Sequence, residues 1–240
     1  MLALSPGLRA QMAPKPGAEK APPAPAPFHD LSGVWNMHST PAQRKFINST
    51  YTAEGPEMTE WAKEKYEAAK PSNGPRSNPL TVTDDPVLRK CFPPGTPRIY
   101  LQPFPMQIVQ TPKEILMVFE YDHTIRQIFM DGRPHPDDLI PTYMGHSIGK
   151  WDGDTLVVDT VGFNTNTWLD RDGHQHSDQL HIIERFNRVD FDDMNIDITI
   201  MDPKALVKPW VSQLHYVLKP GWDIMELACP DNLKFESFEK

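Results

Sequence analysis

From Gln107 onward the chain is written in short runs in which apolar and polar positions alternate with a period of two, the pattern of half-buried strands. These runs are Gln107–Thr111, Glu114–Tyr121, Ile125–Met130, Gly145–Trp151, Thr155–Val161, Leu180–Val189, Met194–Met201, Ser212–Leu218 and Trp222–Ala228. An earlier strand is expected around Val34 and Trp35, entered from the turn at Asp30, which makes about ten. Several linkers are very short: Pro112-Lys113, Asp122-His123-Thr124, Asp152-Gly153, Phe191-Asp192-Asp193 and Lys219-Pro220-Gly221. Such links join antiparallel neighbours and cannot serve parallel crossovers. The pattern therefore predicts a mainly β fold, an antiparallel meander rolled into a barrel so that its edges are removed. Helical spacing is confined to Thr52–Ala69, with Pro56 and the acids Glu54 and Glu57 near its start and Met58, Trp61 and Ala62 on one side. Residues 71–105, rich in Pro, Gly and Asn, read as a long loop covering a pocket.

The hairpin around Asp152-Gly153 is the sharpest local signal, because Asp-Gly suits the two positive-φ positions of a type I′ turn. With those two residues as the loop, Trp151 faces Asp154, Ile148 faces Val157 and His146 faces Asp159. His146, Ile148, Val157 and Asp159 then share one face, and the imidazole and carboxylate are cross-strand neighbours with Cβ atoms roughly 4.5–5.5 Å apart. A carboxylate beside a histidine fixes its tautomer and supports general acid–base chemistry, so His146 and Asp159 are the expected catalytic pair. The same spacing also suits a structural tie between two strands. Glu184 is the third candidate catalytic group, since period two sets it on the apolar face of Leu180, Ile182 and Phe186. A carboxylate there needs a partner such as Arg98, Arg126 or a histidine.

The loop Asp170–Asp178 concentrates oxygen and imidazole donors. His174 and His176 could chelate a divalent metal, with His135 as a third ligand across space. The third acid ligand of a cupin is missing at the expected spacing, and a polar solvated loop is the simpler account. Gly145-His146-Ser147-Ile148-Gly149 has the letters of a nucleophile elbow but lies inside a hairpin, not between a parallel strand and a helix. There is no Walker loop or dinucleotide fingerprint, so no nucleotide cofactor is expected.

Composition narrows the classes. Of 240 residues, 24 are Lys or Arg and 32 are Asp or Glu, a formal charge of −8 that offers no basic surface for nucleic acid. The 26 prolines argue against a long-helix protein. No apolar run reaches the ~18 residues of a membrane span. Residues 1–27 hold seven prolines and few apolar side chains, and read as a disordered leader or linker ahead of a single domain over residues 28–240. A short apolar stretch before Gln11 resembles the back half of a secretory signal without its charged front, pointing to a periplasmic or secreted protein with an incomplete signal. An even pair of cysteines, Cys91 and Cys229, suits either one disulfide or two separate thiols.

A set of motifs spreads along the chain: Asp131-Gly132-Arg133, Gly145-His146-Ser147-Ile148-Gly149-Lys150-Trp151, Gly153-Asp154-Thr155-Leu156-Val157-Val158-Asp159-Thr160, Gly162-Phe163-Asn164, His176-Ser177-Asp178, Glu184-Arg185-Phe186 and Lys208-Pro209-Trp210. With Cys91-Phe92-Pro93 and the late Glu226-Leu227-Ala228-Cys229, the chain resembles a large family of uncharacterised exported bacterial proteins, from about Asp30 to Asn232. The resemblance implies an exported, lipocalin-like β domain and the Cys91–Cys229 disulfide, and brings no reaction with it.

Three functions follow from these readings. One is an enzyme of lyase, isomerase or hydrolase type, with His146 and Asp159 moving a proton in a barrel pocket and Glu184, His135 or His176 opposite. A second is a periplasmic binding module for a small ligand, with Trp151, Phe163, Trp168 and Trp210 as walls and Asn164 and Arg126 as polar groups. The third is a structural partner protein. A metal-dependent barrel enzyme using the His174/His176 loop is a variant of the first. Oligomeric state is not set by the sequence.

Overall fold

The computed structural model describes residues 28–78 and 80–228. The leader and Cys229 therefore lie outside the described residues. Nine strands form one closed barrel: β1 Gly33–Met37, β2 Met106–Gln110, β3 Glu114–Phe119, β4 Ile125–Phe129, β5 His146–Asp152, β6 Thr155–Val161, β7 His181–Arg188, β8 Asp193–Met201 and β9 Trp210–Leu218. Each strand pairs with its neighbour in sequence, and β1 closes the ring against β9 through Trp35↔Leu218 and Met37↔Tyr216.

The count is nine rather than about ten. The stretch Trp222–Ala228 forms no strand, and only Leu227 makes an isolated bridge, to Tyr121. Closure explains this, because once β1 and β9 pair the ring has no free edge to accept another strand. Nor is the meander antiparallel throughout. An odd ring cannot alternate direction all the way round, so at least one junction must be parallel; it is β4/β5, with Ile128 opposite Ser147 and Phe129 opposite Ile148. A parallel junction needs a long return. Residues 130–145 supply it, and they carry His135.

The barrel is filled. Along β6, Leu156, Val158 and Thr160 are buried while Thr155, Val157, Asp159 and Val161 are half-exposed. Along β8, Met194, Ile196, Ile198 and Ile200 all lie inside. Trp35, Met106, Ile108, Met117, Phe119, Ile128, Phe186, Leu214 and Tyr216 complete a core that leaves the expected hollow packed with side chains.

Helix is scarcer than the spacing predicts. Helix α1 covers Glu60–Ala68 only, with Thr59 as its N-cap accepting from the Ala62 N–H. It cannot begin at Thr52 because Gly55 takes φ +70, outside the right-handed helical region, and Pro56 follows. The segment 71–105 is more than a covering loop. It holds helix α2, Pro86–Lys90, capped by the Asp85 side chain, and a 3-10 turn, Arg98–Leu101, all four of whose residues are buried. Tyr100 from that turn reaches the barrel's central polar network. No helix among the described residues is long and apolar enough to cross a membrane.

Candidate functional site

The hairpin forms, but its register differs from the expected one by two residues. Asp152 belongs to β5 and pairs with Thr155, so the loop is Gly153-Asp154. Only Gly153 has positive φ (+57), which is the II′ arrangement with glycine first. Asp152 thus avoids the left-handed backbone that a type I′ loop would impose on it. A two-residue shift preserves the face, so His146, Ile148, Val157 and Asp159 still point the same way. That way is outward, because Ser147, Leu156, Val158 and Thr160 take the interior.

On the outer wall Asp159 does not touch His146 directly. His135 intervenes: its Nε2 lies 3.2 Å from Asp159 Oδ1 and its Nδ1 lies 2.8 Å from His146 Nδ1. His181 Nε2 approaches the same Oδ1 at 2.9 Å. The His146 ring stacks on Phe129, with centroids 5.2 Å apart. Burial, then the neighbouring His135 and Arg133, hold His146 below the ordinary imidazole range.

Glu184 lies at the barrel centre, fully buried, and its partner is Arg126. Arg126 binds both carboxylate oxygens, Oε1 at 2.8 Å, and donates to Tyr100 OH at 2.7 Å, Thr160 Oγ1 at 2.8 Å and Ser147 Oγ at 3.1 Å. Tyr100 donates to Glu184 Oε1 at 2.7 Å. Burial opposes the guanidinium's charge, yet the Glu184 carboxylate outweighs it and raises the Arg126 pKa. Both ions are satisfied by side chains of the core, so Glu184, expected as the opposing acid, and Arg126, expected as a binding group, are bonded to one another inside the barrel. The Ser147 hydroxyl belongs to the same network.

The donor-rich loop is organised differently from a metal chelate. Asp170 is fully buried, and its Oδ1 accepts the backbone N–H groups of Asp172, Gly173 and His174 at 3.0–3.1 Å. Its Oδ2 lies 2.6 Å from His174 Nδ1. Burial disfavours ionisation of Asp170, but the His174 imidazole and these hydrogen bonds win, and its carboxyl sits below the usual range. With Nδ1 fixed on Asp170, Nε2 of His174 has no hydrogen-bond partner among the described residues. It borders a cleft of about 670 Å3, lined also by Phe46, Glu54, Gly55, Tyr66 and Asp172.

Aromatic rings hold the imidazole in place. Tyr66, from α1, stacks on His174 with centroids 4.3 Å apart, and Trp210 meets it edge-on at 5.4 Å. The outer face of Tyr66 is covered by the Arg76 guanidinium at 3.9 Å. Tyr66 OH donates to Asp172 Oδ2 at 2.8 Å, and burial with this carboxylate pushes the phenol up to about 12. Burial, with Asp170 close by, pushes the Asp172 carboxyl up as well. Gly55 is needed where it stands, since a Cβ there would lie 3.3 Å from His174 Nε2 on a backbone of positive φ.

The three expected metal ligands do not meet. His174 is held by Asp170, His176 sits buried with Nδ1 3.0 Å from the Ser177 carbonyl, and His135 is on the barrel wall. Among the described residues no group of three or more His, Cys, Asp or Glu side chains is placed so that it could hold a metal ion. The expected ligand walls also scatter. Trp151 stacks on His29 at 4.6 Å on the outer wall, Trp168 is buried near Arg98, and Phe163 packs near His176. Asn164 accepts a turn hydrogen bond from the Asn166 N–H. Of that set Trp210 meets the His174 ring, and its own Nε1 donates to Thr52 Oγ1. The sequence reading missed Asp170, Asp172 and Tyr66. A signal for the first was present in Asp170-Arg171-Asp172-Gly173, where an aspartate opening a glycine-containing turn caps its own loop.

Comparison of the chain with family models, with curated proteins and with solved structures finds no match to any of them.

Proposed function

We propose that this protein acts on a small molecule in the cleft beside His174, with His174 as the acid–base group and Asp170 as the residue that orients it. The observation that carries this reading is the 2.6 Å Asp170–His174 contact, which leaves Nε2 facing a cleft of about 670 Å3. A carboxylate on Nδ1 selects the tautomer with its lone pair on Nε2 and stabilises the imidazolium that forms when a proton is taken. The cleft lies within the size range of small-molecule sites. Proton-transfer chemistry of lyase, isomerase or hydrolase type needs no nucleotide and fits this pair. The role expected for His146 and Asp159 thereby passes to a different histidine and aspartate. The reading keeps the exported setting and the Cys91–Cys229 pairing that the family resemblance implies; both remain expectations of the sequence.

The test is a thermal-shift screen of small polar metabolites on the wild type and on His174→Gln, followed by turnover assays on whatever binds. The expected result is ligands whose stabilisation drops at least tenfold in apparent affinity in the variant, and turnover that disappears with it. Ligands held equally by both proteins would remove His174 from the site. Binding that depends on His174 with no chemistry on the bound molecule would make the protein a binding module.

A further inference from the structure

The seam between β4 and β5 opens into a groove that shares no lining residue with the cleft at His174. Pairing of the two strands begins only at Ile128↔Ser147, and Ile125–Gln127 have no partner in β5. The groove has a volume of about 390 Å3, and its lining includes Pro93, Ile125, Phe129, Tyr143, Met144 and His146. Most of its polar side chains are engaged or adaptable. Gln127 donates to Glu114, Thr142 donates to the Gly145 carbonyl and Ser147 accepts from Arg126. The Thr124 and Tyr143 hydroxyls rotate and serve as donor or acceptor alike.

His146 differs, because a chain of hydrogen bonds behind it fixes where its proton sits. Asp159, as a carboxylate, only accepts, so His135 Nε2 at 3.2 Å and His181 Nε2 at 2.9 Å both donate to its Oδ1. With its proton on Nε2, a neutral His135 offers a lone pair at Nδ1. His146 Nδ1, 2.8 Å away, must then be the donor. The lone pair of His146 is thereby left on Nε2, which has no hydrogen-bond partner among the described residues and is not one of the unpaired polar atoms enclosed by them. Stacking on Phe129 holds the plane of the ring. Burial, then His135 and Arg133, keep that ring from charging at neutral pH. Arg133 itself is engaged by Asp131.

We propose that this groove is a second small-molecule site, for a compact aromatic compound bearing one N–H or O–H donor, with His146 Nε2 as its acceptor and His135 and Asp159 as the residues that set the His146 tautomer. The volume lies in the range of small-molecule sites, and Ile125, Tyr143 and Met144 offer apolar and thioether surface to a ring. A donor meeting Nε2 completes the line of bonds that begins at Asp159, whereas an acceptor placed there meets a lone pair and is repelled. The same lone pair takes the proton outright from a sufficiently acidic ligand, the imidazolium being backed through His135 by Asp159.

The full chain, at about pH 8 and so above the ordinary imidazole range, is titrated with indole, which offers a donor, and with quinoline, which offers an acceptor. The Ile125 and Met144 methyl signals are followed by NMR. Both signals should move with indole, at an affinity about tenfold tighter than that of quinoline. His146→Phe, which keeps a ring against Phe129, should erase the preference, and Asp159→Ala, which frees the tautomer, should reduce it to about threefold or less. His174→Gln should leave it intact. Near-ultraviolet circular dichroism checks the fold of each variant, and long-range 15N–1H spectra of the wild type read the tautomer independently of any variant, with the His146 proton expected on Nδ1. Quinoline bound as tightly as indole, indole that leaves Ile125 and Met144 unmoved, a preference that survives His146→Phe or Asp159→Ala, or a proton on His146 Nε2 would overturn the proposal.

Discussion

Asp170 and His176 show how much acid sensitivity two residues can build in. The folded-state pKa of Asp170 is depressed, so the stability it contributes is fully present above the ordinary carboxylate value of about 4 and is lost as pH falls through the folded value. His176 is lowered by burial, so the unfolded chain takes up a proton below about pH 6.5 that the folded chain refuses. Its cost therefore begins at higher pH than the loss from Asp170. Urea midpoints measured from pH 7 to pH 3 should fall in two stages. His176→Gln should flatten the first stage and Asp170→Asn, which keeps an acceptor for the three N–H groups, the second. A single fall untouched by either variant would contradict this.

Strand spacing made the elements readable because alternation survives without any knowledge of partners. Leu180, Ile182, Glu184 and Phe186 do share one face, and His146 and Asp159 share another. What alternation could not decide is which face of β5 and β6 turns inward. His146, Ile148, Val157 and Asp159 are no more polar as a set than Ser147, Leu156, Val158 and Thr160 by a margin that would settle it. The choice is made by Arg126, a residue of β4, whose guanidinium needs the Ser147 and Thr160 hydroxyls inside the barrel. The hairpin register was missed for a more local reason, the loop being Gly153-Asp154 with positive φ only at its first residue. Gly153→Ala should therefore cost about 1–2 kcal/mol, the usual price of a left-handed backbone for an L-residue. Asp152→Ala, on an exposed strand end, should change stability by less than about 0.5 kcal/mol. Chemical denaturation of the two variants compares them directly.

At the scale of the molecule, a charged pair occupies the place where a ligand cavity was expected. Desolvating Arg126 and Glu184 is costly, and the network of Tyr100, Ser147 and Thr160 offsets it only while both ions are present. Arg126→Met alone should cost about 3–5 kcal/mol, because it strands a buried carboxylate. Arg126→Met with Glu184→Leu should recover most of that loss in the same denaturation experiment. Barrel closure and the filled interior leave the cleft and the partly exposed histidines at the periphery. The loops and α1 build the cleft at His174, and the outer wall holds His135, His146 and His181. That division was not legible in the sequence, since the same residues would have lined a hollow barrel had Tyr100 and Arg126 not closed it.

The ring is thinnest at its parallel junction, where two residue pairs join β4 to β5 while β7 and β8 are laced along eight. Local opening of a fold begins where backbone ties are fewest. The strap that bridges this seam is residues 130–145, and its fastening to the wall includes the bonds of His135 to Asp159 and His146. Loosening that fastening, as His135→Gln would, should let the two halves of the cylinder part company more readily, read as faster amide exchange along β4 and β5.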